Sequence, residues 1–251
     1  MILRNKLSIV VCSKADLVGL MRTLVSLRKL QNDIPEIILV LSGYRKAELI
    51  SIDTEFSTLH LTLISTPALG VYEAQNLGLH KSRKQFILFL NGGDEITGPS
   101  GITHLIETVK DNEWGYGSIN LIKPSNNHSK SYHFRYRKIL HRLGLKYVPH
   151  PGTIINAQQG IKLGAFDTKY RVSADHKLLL ALARISKPIV VKNVISNFYL
   201  NGASTRSHKE IVWDCKNISR ETFGFFAGSK FIDSLIWNLV LIVRGLIGRR
   251  N

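Results

Sequence analysis

Short apolar runs and helix-forming segments alternate through the first hundred residues of the chain. Residues 7–13, 36–41, 59–65 and 86–90 are largely apolar stretches of strand length, and turn-forming residues bound them. The fourth is a continuous apolar run, as is typical of a strand buried on both faces of a sheet. Between the first two runs, apolar residues recur at helical spacing at Leu17, Leu20, Met21, Leu24 and Leu27. The alternation predicts βαβ units and an α/β fold with a mostly parallel central sheet flanked by helices.

The composition allows one sizeable core and indicates anionic partners. The chain has 251 residues, of which 44% are hydrophobic, and this is enough for a single large core. Lys and Arg number 34 against 18 Asp and Glu, giving a formal net charge of +16. Such a field concentrates nucleotide diphosphates, nucleic acid or an anionic membrane surface. Two cysteines do not make a disulfide framework, so we expect a reducing compartment and a cytoplasmic protein.

An acidic turn follows the strand predicted at residues 86–90. Asn91-Gly92-Gly93 cannot continue the strand, so Asp94 and Glu95 are expected just beyond its carboxyl end. Ligands of open α/β sheets bind at that edge. A carboxylate there suits a divalent cation, which in turn suits a phosphorylated substrate. A plain turn is the alternative, since Gly-Gly-Asp is common turn chemistry.

A second segment that contains a candidate reactive residue lies further along the chain, at residues 164–182, and its Asp175 is about 80 residues from Asp94. Ser173 is placed to cap a helix there, and Asp175 falls in the first turn of that helix. The helix dipole favours an anion at this position. From the residues alone, Asp175 either supports the helix start or takes part in a reaction.

These two segments resemble the signature elements of family 2 glycosyltransferases. Residues 70–78 read Gly-Val-Tyr-Glu-Ala-Gln-Asn-Leu-Gly and residues 89–95 read Phe-Leu-Asn-Gly-Gly-Asp-Glu. They match the family pattern Gly-Ile/Val-Tyr-Asp/Glu-Ala-x-Asn-x-Gly, followed by Phe-Leu-Asn-x-Gly-Asp-Asp/Glu. Residues 164–182 are similar to the acceptor-side element, and the likeness spans roughly residues 6–206. It implies a GT-A-like domain and a metal-dependent, inverting transfer of a sugar from a nucleotide-diphosphate sugar to a hydroxyl acceptor, as in bacterial polysaccharide biosynthesis.

The resemblance also implies roles for individual residues. Asp94 and Glu95 are expected to hold Mg²⁺ or Mn²⁺, and Asp175 is expected to act as the general base on the acceptor. Donor contacts are expected from Ser13, Asn76, Asn91 and Ser204.

Two positions depart from the family pattern. Gly92 stands where the family has the first acid of its metal-binding element, which leaves fewer protein ligands for a cation. Ser42-Gly43-Tyr44 stands where the family has an acid that reads the nucleotide base. We therefore expect the base to be contacted by backbone groups or by Ser42.

The resemblance divides the chain into a glycosyltransferase domain at residues 1–206 and a helical segment at residues 207–251. The domain comprises a nucleotide-sugar half at 1–100 and an acceptor half at 101–206. From residue 231 to residue 247 the tail is apolar at helical spacing, but Asp233 and Arg244 interrupt it, so it is too short to span a bilayer comfortably. Either it lies in the interface of an anionic membrane, beside a sugar or lipid-linked sugar acceptor, or it docks on the domain.

A non-catalytic nucleic-acid-binding protein is the alternative from another functional class. The +16 charge supports it, as does the alternation of aromatic and basic residues at 132–137, in a strand predicted at residues 131–137. However, Tyr132, Phe134 and Tyr136 share one face of the predicted strand. This is typical of a half-buried strand with a solvated side, so nucleic acid is not the partner we expect.

Overall fold

The computed structural model describes residues 1–109, 113–123, 128–200 and 208–248. The first part is an α/β unit in which four strands are joined by helices. The strands are β1 (Leu7–Lys14), β2 (Glu36–Ser42), β3 (Leu61–Thr66) and β4 (Phe86–Asn91). The helices are α1 (Ile2–Lys6), α2 (Leu17–Leu27), α3 (Lys46–Glu55) and α4 (Val71–Lys81). The four strands lie in the order β3-β2-β1-β4 and all pair in parallel, which confirms the predicted α/β class.

Strand β1 is buried on both faces, because its alternate side chains enter two different cores. Ile9 and Val11 pack in the core that α2 covers, whereas Val10 and Cys12 pack in the core that α4 covers. Helix α4 approaches the sheet at Gly78, where a Cβ atom would overlap the side chain of Val10. The helix therefore lies closer to β1 than any residue with a side chain would allow.

The second part continues the same sheet beyond β4. Its strands are β5 (Glu95–Ile96), β6 (Gly115–Lys123), β7 (His128–Tyr132), β8 (Thr153–Asn156) and β9 (Ile189–Tyr199). Its helices are α5 (Pro99–Thr108), α6 (Lys138–Arg142), α7 (Ala157–Lys162) and α8 (Ala174–Ile185). The order continues β4-β8-β6-β9-β5, with β7 paired to β6. Of these contacts, β6 with β9 is parallel and the others are antiparallel.

The strand predicted at residues 131–137 ends earlier than expected, at Tyr132, and its aromatic side chains pack inward. Tyr136 is buried, and the ring of Phe134 packs against the rings of both Tyr116 and Tyr132. Arg135 and Arg137 are exposed on the other side. The rings therefore belong to the core and do not form a platform on which bases could stack.

The C-terminal segment consists of two helices, α9 (His208–Phe223) and α10 (Lys230–Gly248). Trp237 and Val240 of α10 pack in one buried cluster with Val212 and Cys215 of α9. A fully buried carboxylate, that of Asp233, is paired at 2.6 Å with the guanidinium of Arg220. Helix α10 is therefore docked on α9 by one face.

The opposite face of α10 is apolar and exposed. It carries Phe231, Leu235, Leu239, Ile242 and Leu246. Their spacing of four, four, three and four residues places them on one side of the helix. Among the helices of the described ranges, none has the length and apolarity that crossing a bilayer requires. The two alternatives for the tail are thus not exclusive, since docking uses one face and leaves the other free.

Candidate active site

A cleft of about 620 Å³ opens at the carboxyl ends of the parallel strands. Its walls come from the ends of β1, β2, β4 and β9, the acidic turn after β4, the start of α4, and the loop before α8. Residues that line it include Ser13, Asp16, Arg22, Ser42, Tyr72, Asn91, Asp94, Arg171, Val172 and Tyr199. The sequence placed the site at this edge of the sheet, and the structure brings Ser13, Asn91 and Asp94 together there.

The acidic turn is shaped by its two glycines. Gly93 has a φ of +108°, a backbone conformation that residues other than glycine rarely adopt. The backbone nitrogen of Gly92 donates to the carbonyl of Cys12 at 2.8 Å. A Cβ atom at position 92 would lie 2.5 Å from Oγ of Ser13, so a side chain there would require Ser13 to move. This packing accounts for a glycine where the family pattern has an acid.

Asp94 is a buried carboxylate that lines the cleft, with an exposed fraction of 4%. Its Oδ2 accepts a hydrogen bond from the backbone nitrogen of Asn91 at 2.9 Å, and its own nitrogen donates to the Asn91 carbonyl at 3.0 Å. Burial raises the pKa of Asp94 to about 7, and the hydrogen bond from Asn91 opposes this shift. A cation beside the carboxylate would favour its ionised form.

The residues present fit a cation that is held largely by a bound substrate. Within the ranges that the structure describes, no group of three or more His, Cys, Asp or Glu side chains is arranged to hold a metal ion. Mg²⁺ is commonly bound by one or two carboxylates together with substrate phosphates and water. Asp94, a buried carboxylate in the lining of a cleft that Arg22 and Arg171 also line, supplies one such carboxylate.

Glu95 occupies a different place from the one expected for a second metal ligand. Its Oε1 accepts from the hydroxyl of Tyr199 at 2.8 Å, and its Oε2 accepts from Nδ2 of Asn197 at 3.2 Å. Arg22 lies 3.9 Å from the same carboxylate. Glu95 is not among the residues that line the cleft. It ties β5 to β9, and Asp94 is the acid of the turn that faces the cleft.

Asp16 and two arginines also line the cleft, and the sequence patterns did not predict them. Asp16 follows β1 and caps α2, with Oδ1 accepting from the nitrogen of Gly19 at 2.9 Å. Its position directly after the first strand was the available signal. Arg22 and Arg171 add positive charge to the cleft wall. Arg22 lies outside both motif segments, whereas Arg171 lies within the second one, where the resemblance implies no role for it.

Hydroxyl groups pair at the ends of the first three strands, where the sequence lacks a base-reading acid. Oγ of Ser13 lies 2.6 Å from the hydroxyl of Tyr44, and Oγ of Ser42 lies 2.8 Å from Oγ1 of Thr66. Ser13 and Ser42 both line the cleft. This end of the cleft therefore offers neutral donors and acceptors.

Of the predicted donor contacts, Asn76 lies away from the cleft and Ser204 is not described by the structure. Both amide atoms of Asn76 are bonded to the backbone of Phe166, with Nδ2 donating to its carbonyl and Oδ1 accepting from its nitrogen, each at 2.8 Å. Asn76 does not line the cleft, so its place in the motif has a structural explanation. Ser204 falls outside the described residues.

Asp175 lies in the first turn of α8, as predicted, and is partly buried. Ser173 occupies the N-cap position, but its side chain makes no capping hydrogen bond. The hydroxyl of Tyr72 lies 2.9 Å from Oδ1 of Asp175 and 2.6 Å from the carbonyl oxygen of Val172. Tyr72 and Val172 line the cleft, whereas Asp175 is not among the lining residues and contacts the cleft wall through the tyrosine.

Sequence comparison finds relatives for part of the chain. No protein-family model matches it. Two proteins of Mycobacterium tuberculosis, each named an uncharacterized glycosyltransferase, are 26% identical to it over 151 residues. The matched region covers 58% of this chain and 56% of each relative, so the chain matches little more than half the length of these relatives.

Comparison with solved structures covers most of the chain. S. aureus TarS 1-349 in complex with UDP has a TM-score of 0.66 at 13% identity, over 94% of this chain and 70% of that one. The same TarS fragment with UDP-GlcNAc has a TM-score of 0.65 at 13% identity, over 94% and 71% of the two chains. The mannosyltransferase PcManGT from Pyrobaculum calidifontis, in complex with GDP-Man and Mn²⁺, has a TM-score of 0.59 at 12% identity, over 87% and 62%. The chain therefore has the fold of GT-A-like glycosyltransferases, and the relatives found by sequence and by structure are glycosyltransferases.

Proposed function

We propose that this protein is a glycosyltransferase that moves a sugar from a nucleotide-diphosphate sugar to a hydroxyl acceptor. The observation that carries the proposal is the buried carboxylate of Asp94 at the carboxyl edge of the parallel strands, inside a cleft that Arg22 and Arg171 also line. Basic side chains attract a diphosphate, and the open edge of the sheet is where such folds bind nucleotides.

Asp94 would hold a divalent cation, Mg²⁺ or Mn²⁺, together with the donor phosphates. When bound, that cation would stabilise the negative charge that develops on the departing diphosphate. Arg22 and Arg171 would add to this stabilisation from the cleft wall. The nucleoside would lie against Ser13 and Ser42, whose neutral hydroxyls replace a base-reading acid.

Asp175 would take the proton of the acceptor hydroxyl as that oxygen attacks the anomeric carbon. A base on the acceptor side acts from the face opposite the leaving diphosphate, so the transfer would invert the anomeric configuration. Positioned carboxylates are common general bases, since they need only lie within hydrogen-bond reach of the proton.

The free face of α10 supports a peripheral membrane location and a sugar or lipid-linked sugar acceptor, as in polysaccharide biosynthesis. Its exposed residues from Phe231 to Leu246 form an uncharged stripe, and Trp213 of α9 is also exposed. A contiguous apolar surface of this kind marks a binding surface. The +16 net charge favours an anionic bilayer as its occupant, on the cytoplasmic side.

A panel of UDP- and GDP-sugars with Mn²⁺ tests the proposal by release of the nucleotide product. We expect turnover with at least one donor, stimulated by a sugar or lipid-linked acceptor. Asp94→Asn should lower turnover by roughly a hundredfold or more, the scale of a lost electrostatic contact in a transition state. The matched control is Asp53→Asn, which alters an exposed acid of α3 and should leave turnover unchanged. Salt-sensitive binding of oligonucleotides without turnover of any donor would overturn the proposal.

A further inference from the structure

The Tyr72 side chain is held between the two halves of the candidate site. Its ring stacks on Phe166 with the centroids 5.6 Å apart, and the residue is only 7% exposed. Its hydroxyl points at two acceptors at once, the carbonyl oxygen of Val172 at 2.6 Å and Oδ1 of Asp175 at 2.9 Å. The ring position is thus fixed by packing, while the hydroxyl proton is free to turn about the C–O bond.

A phenol has one proton to donate and lone pairs with which to accept. It therefore serves only one of these two acceptors at a time, and the cluster has two complete arrangements. When Asp175 is ionised, Tyr72 donates to the carboxylate. When Oδ2 of Asp175 carries a proton, Oδ1 is the carbonyl oxygen of a neutral acid and a weaker acceptor, so Tyr72 donates to the carbonyl of Val172 instead. Each arrangement leaves the phenol proton with one partner.

We propose that Tyr72 is a positioning residue for Asp175, whose hydroxyl turns from the carboxylate to the Val172 carbonyl as Asp175 takes the acceptor proton. The inference rests on the proposed function. In that step the acceptor O–H bond breaks and its proton goes to Asp175, while the oxygen forms a bond to the anomeric carbon. The bond from that carbon to the diphosphate breaks, and the diphosphate leaves with the electron pair. Tyr72 keeps its own proton throughout.

Two further observations agree with this role. Burial raises the pKa of Tyr72 well above its ordinary value, and the charge of Asp175 adds to the shift, so the phenol stays protonated. None of the described residues donates a hydrogen bond to Oδ2 of Asp175. Tyr72 thus engages one carboxylate oxygen and leaves the other for the acceptor hydroxyl.

The test compares Tyr72→Phe with Tyr116→Phe. The second tyrosine is also buried and donates its hydroxyl to a backbone carbonyl, that of Phe134 at 3.0 Å. Tyr72→Phe should lower kcat for transfer by roughly ten- to a hundredfold, the scale of a misplaced catalytic group. The dissociation constant of the nucleotide with Mn²⁺, and the KM for the acceptor, should change less than about twofold, because donor binding does not use this hydroxyl. Tyr116→Phe should retain kcat.

A double-mutant cycle separates positioning from a structural role. In an Asp175→Asn background, Tyr72→Phe should cause no further loss of transfer, because the carboxylate through which Tyr72 acts is already gone. An equal loss in both backgrounds, with or without a lower melting temperature, would overturn the inference. So would a Tyr72→Phe enzyme with the wild-type kcat, and this result would leave the proposed function standing. A wild-type protein that transfers from no donor would instead overturn the proposed function itself.

Discussion

Asn76 forms hydrogen bonds to the backbone of Phe166 through both polar atoms of its side-chain amide, although 90 residues separate the two along the chain. Nδ2 donates to the carbonyl and Oδ1 accepts from the nitrogen, both at 2.8 Å. The ring of Phe166 in turn packs against Tyr72 and Phe89. Helix α4 of the first half is thereby fastened to the loop that leads into α8 and Asp175.

Asn76→Ala should destabilise the protein. The substitution leaves a backbone N–H and C=O of buried Phe166 without partners, and we expect the free energy of unfolding to fall by about 2–3 kcal/mol. Urea denaturation followed by circular dichroism measures this. A variant with unchanged stability but weakened nucleotide binding would instead support the donor contact that the motif predicts for Asn76.

Asp94→Asn should stabilise the metal-free protein in a pH-dependent way. The carboxyl has an ordinary pKa of 3.8 and a folded pKa of about 7. Between these values the folded state binds more protons than the unfolded state, so this group's contribution to the free energy of unfolding falls as pH rises and is constant above 7. Asparagine cannot ionise. In the presence of chelator, the free energy of unfolding of Asp94→Asn should therefore exceed that of the wild type by an amount that grows from pH 4 to pH 7, to at most a few kcal/mol.

The same pair of proteins reports on the cation without any need for turnover. Mn²⁺ added with a nucleotide diphosphate should raise the melting temperature of the wild type at pH 7.5, and should do so much less for Asp94→Asn, since a ligand stabilises only the state that binds it. Equal shifts in both proteins would show that Asp94 does not bind the metal. Full activity of the wild type in excess chelator would show that the reaction does not require a metal.

Asp175→Asn should reduce sugar transfer to a small residual rate while preserving the affinity for the donor nucleotide. The substitution is nearly isosteric and keeps an acceptor for the Tyr72 hydroxyl, so stability should change by no more than about 1 kcal/mol. Transfer should fall by about 10²–10⁴-fold, the usual contribution of a positioned base. Steady-state kinetics and calorimetric titration of the nucleotide measure the two effects. Normal transfer, or joint loss of fold and donor binding, would return Asp175 to a helix-start role.

Leu239→Glu should weaken binding to anionic vesicles without unfolding the protein, because this side chain of α10 is 60% exposed. Loss of one buried leucine corresponds to about 1.5–3 kcal/mol, or roughly tenfold to a hundredfold in partitioning. Ile50→Glu makes the same charge change on a 58% exposed residue of α3 and should retain binding apart from a small electrostatic effect. Co-sedimentation with phosphatidylglycerol vesicles distinguishes them, and equal binding would argue against the membrane face.

A point substitution is the better test here, since deleting the whole helix would disturb the fold. Trp237 and Val240 cover Val212 and Cys215 of α9, and removal of α10 would also leave Arg220 without its partner Asp233. Loss of vesicle binding on truncation would therefore not separate a missing lipid contact from an unfolded segment.

Local patterns in the sequence predicted much of the fold and part of the candidate site. Apolar runs located the first four strands within a residue or two, and the break at Gly92-Gly93 put Asp94 at the strand edge. Patterns along the chain do not show which distant segments pair. The resemblance placed Glu95 beside a cation, whereas its side chain bonds to Asn197 and Tyr199, more than a hundred residues away on an antiparallel strand. No local pattern reveals such partners.

The tail shows a second kind of limit. Apolar residues surround α10 on nearly every side, so the sequence did not reveal which face is covered. The partner surface decides this. Trp237 meets α9, whereas Leu239, two residues later, points away from it.

The bare backbone at Gly78 lets α4 pack closely on β1, and α4 in turn holds the loop before α8. Asn76 and Tyr72, both on α4, hold the loop before α8 and the first turn of α8 that contains Asp175, and α4 rests on Val10 at the position that lacks a side chain. One added methyl group would lift the helix and shift both attachments together. If Asp175 acts on an acceptor as proposed, residues 10 and 78 are the place to begin in making room for a bulkier acceptor, although neither lines the cleft.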